Sequence, residues 1–173
     1  MKHKEIDIHS FCTNSIDIWF NKWFLLTAGD FENANSMTIS WGTFGGLWER
    51  PVVQVFARPI RYTYEFLNNY GTFTICAFPD KYKNDLQILG NQSGRDSNKV
   101  SETNLHFIKS SKIPAPAFQE AELIIECRKL YWQDLDPHKF LDVSIEQNYP
   151  KKDYHRMFIG EILAIHGIDK YKK

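Results

Sequence analysis

The residues of this chain that could do chemistry group in three places. The first is ARPIRYTYEF, residues 57–66. Arg58 and Arg61 flank a proline turn, and Thr63 stands where a helix is predicted to start. Open N–H groups at a helix N-terminus, joined by guanidinium, hold a phosphate or carboxylate. The same residues also suit a plain surface turn with a hydroxyl cap. The second is NQSGRDSNK, residues 91–99, directly after a predicted helix stop. Its hydroxyl, guanidinium and ammonium donors suit a polar ligand, and they suit solvent equally. The third is His155 in KKDYHRMFIGE, beside Asp153 at the entrance to the last strand. An imidazole there can move or orient a proton near neutral pH, or be an ordinary surface histidine.

Other reactive types point to no site. His138 lies near Asp134 and Asp136, but no second histidine is spaced as a metal ligand, and Asp-Pro favours a turn, so no metal is expected. The three cysteines, Cys12, Cys76 and Cys127, are an odd number without a CxxC, which argues against a disulfide framework and against zinc. Cys76 and Cys127 fall in apolar strands and read as buried thiols. A GxSxG elbow, a GxGxxG turn and a GxxxxGK[ST] loop are all missing.

The elements that must position these residues are mostly strands. Residues 23–28, 35–41, 52–57, 72–78, 123–131, 140–147 and 157–168 are short, apolar or alternating, as half-buried antiparallel strands require. In 35–41, Met37, Ile39 and Trp41 share one face. Helices are predicted after Thr63 up to Gly71, and from a cap at Asp80 to Gly90 as the residue past the helix end, with one further turn at Asp96–Val100. Ser110–Phe118 is a loop because Pro114 and Pro116 cannot donate to a ladder. Strands without alternating helices make an antiparallel barrel or sandwich with helical decoration. Within this order, NSMTISWGTFGGLWERP (residues 35–51) is unusual. Gly42, Gly45 and Gly46 follow the strand, and they would let the chain leave its edge without side chains blocking a ligand. Phe44 and Trp48 would cover that ligand or pack against a second subunit.

Size and charge narrow the classes. The 173 residues suit one domain, 1–173, and 43% hydrophobic with 24% charged is ordinary for a soluble fold. Aromatics at 15% favour a β-rich core or a face for a flat ligand. A net charge of +0 argues against nucleic acid. No apolar run reaches the roughly 18 residues of a membrane span, and the N-terminus carries Lys2, Lys4, Glu5 and Asp7 without an apolar stretch, so a cytoplasmic protein is expected.

The order of segments resembles the flavin reductase-like family, and more closely its flavoredoxin branch. The stretch from NSMTISWGTFGG to TFTICAF, the LGNQSGRDSNK loop, IPAPAFQEAELIIECRKLY and DYHRMFIGEI carry the likeness, from about Trp23 to Ile168. It implies an FMN-binding split β-barrel with Greek-key strands, a homodimer with FMN near the interface, and transfer of hydride or electrons from NADH, NADPH or a redox partner protein. It implies that Met37, Thr38, Ile39, Ser40 and Trp41 meet the polar edge of the isoalloxazine and that Val55, Phe56, Ala57 and Arg58 border the ring and ribityl chain. It further implies that Arg61 and Thr63 hold the phosphate, that Ser93, Arg95 and Lys99 close over the ligand, and that His155 approaches the flavin or nicotinamide. Tyr154 stands where many relatives carry an acid before the histidine, and Asp153 is one step further.

Overall fold

Apolar alternation takes most of the chain into antiparallel strands. The computed structural model describes residues 3–173. Lys2, the first of the N-terminal charges, lies outside them. The strands are β1 (Lys4–Ile6), β2 (Phe24–Gly29), β3 (Ala34–Ile39), β4 (Gly42–Leu47), β5 (Arg50–Ala57), β6 (Thr72–Ala77), β7 (Phe107–Ile108), β8 (Ala117–Phe118), β9 (Leu123–Asp134) and β10 (Arg156–Gly167). Three α-helical segments accompany them: α1 (Ser15–Asp17), α2 (Tyr62–Asn69) and α3 (Lys83–Asn91).

The main sheet runs β3-β2-β6-β9-β10-β5-β4, with β1 also paired to β10, and β7–β8 form a separate ribbon. β3 and β4 stand at opposite ends of this order, yet only Ser40 and Trp41 separate them in the chain. So short a link can join the two ends only if the sheet rolls until its edges approach. The result is a mainly antiparallel split barrel, open along the seam between β3 and the β5–β4 hairpin. Register shifts in the β9–β10 ladder, at Ile159/Gly160 and Ile162/Ala164, add the local bend that such rolling needs.

The roll separates two apolar clusters. Inside it, Phe24, Leu26, Phe73, Ile75, Ile125 and Phe158 pack together. Outside, Leu25, Cys76 and Ile124 meet Leu86 and Leu89 of α3. Alternate residues of β2 therefore serve opposite faces, and both faces are covered. The fully buried Cys76 and Cys127 are structural thiols, and burial pushes Cys76 up to about 12.

The structure corrects the sequence reading in several places. Residues 140–147 are not a strand; Val143–Asn148 is a 3₁₀ helix whose Asp142 accepts from the Ser144 N–H at 2.9 Å. Their alternation found no edge to join, because β9 and β10 pair with each other and with β6 and β5 on their outer sides. Thr63 does not cap α2. Arg61 holds the N-cap position, while Thr63 is buried as the second residue of the helix, accepting from Asn35 Nδ2 at 2.6 Å. Asp80 starts a 3₁₀ turn and α3 begins after Tyr82, with Gly90 inside the helix, close against Thr38. The turn expected at Asp96–Val100 falls instead at Lys99–Glu102.

The glycine-rich stretch is itself a strand, β4. It turns into β5 through Trp48 (φ 53) and Glu49 (φ 58), a pair of left-handed residues that gives the hairpin its tight reversal. Gly42 makes room for protein rather than for a ligand, since a Cβ there would overlap the Trp19 indole. Phe44 packs against Phe11, Trp19 and Phe24 in the core. Trp48 is exposed beside Tyr131. Gly42→Ala should lower the unfolding free energy by about 1–3 kcal/mol, read from urea denaturation, because Trp19 has no open side to move into.

Candidate functional site

The seam of the barrel is where most of the candidate side chains gather. Met37, Thr38 and Ile39 at the end of β3, the Ser40–Trp41 link, Phe56 and Ala57 at the end of β5, and Arg58, Arg61 and His155 line one cleft of about 220 Å³. β3 is a terminal strand, bonded to β2 on one side only. Alternate N–H and C=O groups along it therefore lack ladder partners and are open to a ligand. Trp41 lies against the His155 ring at a centroid distance of 4.8 Å. The cleft thus has one wall of main-chain donors and acceptors and one of aromatic and aliphatic surface, which suits a flat molecule with a polar rim.

Arg61 lies at the mouth of a second, smaller recess, lined by Met37, Ile60 to Thr63, Leu89, Asn91 to Gly94 and Lys99. No side chain caps α2, so the first N–H groups of that helix remain available here. Arg61 donates to the Gly90 carbonyl at 2.8 Å through Nη1. Lys99 is 4% exposed and donates to the carbonyls of Leu89 at 2.8 Å and Gln92 at 3.2 Å. Among the described residues neither cation forms an ion pair. Burial, and then the nearby Arg61 charge, pull the Lys99 ammonium down to about 8. Two cations without carboxylates beside an uncapped helix start make a ready anion site.

The other expected residues divide. Ser93 lines the recess, and its hydroxyl accepts from the Arg95 N–H at 3.2 Å. Arg95 sits further out, on Tyr62 at 4.9 Å, bonded to the Ile60 carbonyl at 3.2 Å and paired with Glu65. Val55 is fully buried in the barrel core and does not line the cleft. Arg58 reaches the cleft but is engaged elsewhere: its Nη1 meets both Asp153 oxygens at 3.1 and 3.2 Å, and its Nη2 meets the Asn148 carbonyl at 2.8 Å. It therefore ties down the segment that precedes β10 and is not a free second arginine at the start of α2. His138 is exposed in a 3₁₀ turn capped by Asp136.

His155 is nearly buried, and its Nδ1 is 2.9 Å from the hydroxyl of Tyr149. Asp153, the acid nearest to the histidine in the sequence, faces Arg58 instead. Tyr149 carried no motif that would single it out in the sequence; only the return of residues 148–155 across the barrel end brings it to the histidine. Burial, followed by the Arg58 charge, lowers His155 to about 4 even though Asp153 acts the other way. The imidazole is thus neutral at pH 7. The unfolded chain binds its proton near 6.5 and the folded one near 4. This site's contribution to stability is therefore complete above about pH 6.5 and is lost as pH falls to about 4, by at most about 3 kcal/mol. Urea denaturation should show a shallower fall between pH 6.5 and 4.5 in His155→Gln than in the parent chain.

Comparison with known proteins agrees with this architecture. The Flavin reductase like domain family matches residues 21–173. An uncharacterised protein of Aeropyrum pernix is 24% identical over 123 residues, covering 70% of this chain and only 40% of its own length. The FMN-binding domain of a flavin reductases-like enzyme from Shewanella baltica superposes with a TM-score of 0.71 at 15% identity, over 96% of this chain and 77% of that one. Flavoredoxin from Methanosarcina acetivorans gives a TM-score of 0.68 at 22% identity, over 94% and 76%.

Proposed function

The chain belongs to the flavin reductase-like family, and from that premise we propose that it is an FMN-dependent oxidoreductase that passes hydride or electrons from NADH or NADPH to an acceptor. One observation carries the reading. The seam cleft, with its open β3 edge, continues past Arg61 into a recess that holds two cations unpaired with carboxylate. A flat polar-rimmed ring and an attached phosphate ask for that sequence of surfaces.

Bound FMN supplies a ring that takes hydride and returns electrons. The chain's own residues do the rest. The Met37–Trp41 main chain and Ser40 hydroxyl offer hydrogen bonds to the ring's polar edge, where they would favour charge that builds on reduction. Phe56 and Ala57 border the ring. Arg61, Lys99, Ser93 and the first N–H groups of α2 hold the phosphate, with Thr63 shaping the recess through its bond to Asn35. Arg95 closes the outer side, and Arg58 orders the segment that carries His155. A single domain over 1–173, working in the cytoplasm as a homodimer, completes the reading.

Stopped-flow reduction of the FMN-loaded chain with NADH and with NADPH tests this. Reduction within the range of ordinary turnover, roughly 1–1,000 per second, is expected with at least one of them. Slow reduction by both, with fast reduction by a protein donor, would make the chain an electron carrier of flavoredoxin type. Bound FMN that no donor reduces would make it a binding module. A colourless protein that takes up no FMN sinks the proposal.

A further inference from the structure

We infer that Tyr149 is a positioning residue: its hydroxyl donates to His155 Nδ1 and so fixes the tautomer that carries its proton on Nε2, at the cleft. The inference rests on the proposed role of the cleft, and its starting point is an asymmetry in bonding. Tyr149 is 2% exposed, and its hydroxyl meets His155 Nδ1 at 2.9 Å, with no other acceptor for the phenol proton among the described residues. Were the imidazole the donor, the phenol proton would be buried without an acceptor. Leaving such a donor unmade is the costly arrangement. With the phenol as donor, Nδ1 accepts and the remaining imidazole proton must sit on Nε2. Burial pushes the Tyr149 phenol up, so it keeps the proton that it donates.

The surroundings hold this pair rigidly. Arg58 lies 5.2 Å from the centre of the Tyr149 ring and grips the chain on both sides of it, at the Asn148 carbonyl and the Asp153 carboxylate. Phe140 stacks on the same ring at 6.1 Å with an interplanar angle of 18°. Trp41 backs the imidazole from the β3 side. The charged groups that act on His155 are Arg58 and Arg61, both opposing its protonation, and Asp153, which favours it. Since Nδ1 is occupied, the ring edge left for the cleft that His155 lines is Nε2. A neutral imidazole held this way is a hydrogen-bond donor toward a ligand in the cleft.

Nitrogen-15 NMR of the histidine-labelled full chain reads the tautomer directly, with and without FMN. In the parent chain, Nδ1 of His155 should give a pyridine-like shift and Nε2 a pyrrole-like one at pH 7, with His155→Gln assigning the signals. Tyr149→Phe keeps the ring packing and removes only the hydroxyl. It should give a tautomer mixture and raise the His155 titration midpoint, because a bond to the neutral form is lost. In FMN-loaded Tyr149→Phe, the reduction rate should fall roughly tenfold from lost orientation, with FMN affinity within about twofold of the parent chain. A pyrrole-like Nδ1 in the parent chain overturns the inference, and this arm needs no variant to fold. Shifts unchanged in Tyr149→Phe, or changed shifts with an unchanged reduction rate, overturn it as well. Failure of FMN to bind would instead defeat the cofactor reading, while the shifts still decide the tautomer.

Discussion

Arg61→Ala should weaken FMN binding by roughly 10- to 100-fold and leave riboflavin binding nearly unchanged. The size follows from what one hydrogen bond to a charged group is worth, about 1.5–3 kcal/mol. Arg61 lines both the seam cleft and the recess beyond it, so it stands where a ring site and a phosphate site would meet. One arm of its fork is committed to Gly90, which sets the direction of the side chain and leaves its other donors free. The residue is exposed and belongs to no ion pair among the described residues, so its loss should cost the fold little. Arg61→Lys should recover only part of the affinity, because an ammonium cannot match two phosphate oxygens with a planar fork. Flavin fluorescence titrations with FMN and with riboflavin read both arms. Riboflavin lacks the phosphate, so an equal loss for the two flavins would point to collapse of the cleft. An unchanged FMN affinity would refute the phosphate assignment.

Much of this site was legible in the sequence because strands advertise themselves locally. The alternation of Met37, Ile39 and Trp41, the β-branched run before Arg58, and the ordered string of family-like segments each need only neighbouring residues to be read. What escaped detection depends on distant parts of the chain. Gly42 looked like clearance for a ligand, but it is clearance for Trp19, a partner from another part of the chain. Residues 140–147 alternate like a strand, yet β9 and β10 already satisfy each other's edges, so the segment coils into a 3₁₀ turn with Leu141 and Val143 facing out. Thr63 has the residue type of a cap, but the N-cap position falls two residues earlier, at Arg61, and Asn35 claims the Thr63 side chain. The most instructive case is the orienting partner of His155. With Tyr154 directly before the histidine and Asp153 one step further, the sequence named no partner for the ring; tertiary structure turned Asp153 to Arg58 and delivered Tyr149, six residues before the histidine along the chain. Local patterns reveal which residues form the walls, while the identity of the group that touches a given atom is settled by long-range packing.

Lys99 should make FMN affinity depend on pH in a direction opposite to the stability of the flavin-free chain. The ammonium is held by two carbonyls and no carboxylate, at 4% exposure, and burial with the Arg61 charge brings it down to about 8. In the flavin-free chain the folded state therefore releases this proton well before the unfolded chain, whose lysine titrates near 10.5. The unfolded state binds more protons between those values, so the folded state gains stability as pH rises from about 8 toward 10.5. A bound phosphate reverses the preference, since its charge favours the protonated amine. FMN affinity should then be flat below about pH 7 and fall as pH rises through 8, by up to about tenfold per unit until the bound state also loses its proton. Lys99→Met removes the charge at similar length. It should weaken FMN roughly tenfold at pH 7 and abolish the decline above pH 8. Calorimetric titrations with FMN at pH 6.5, 7.5, 8.5 and 9.5, beside urea denaturation of the flavin-free chain at the same values, read the two trends together. If affinity in the parent chain and in Lys99→Met falls in parallel above pH 8, some other group carries the proton and Lys99 does not meet the phosphate.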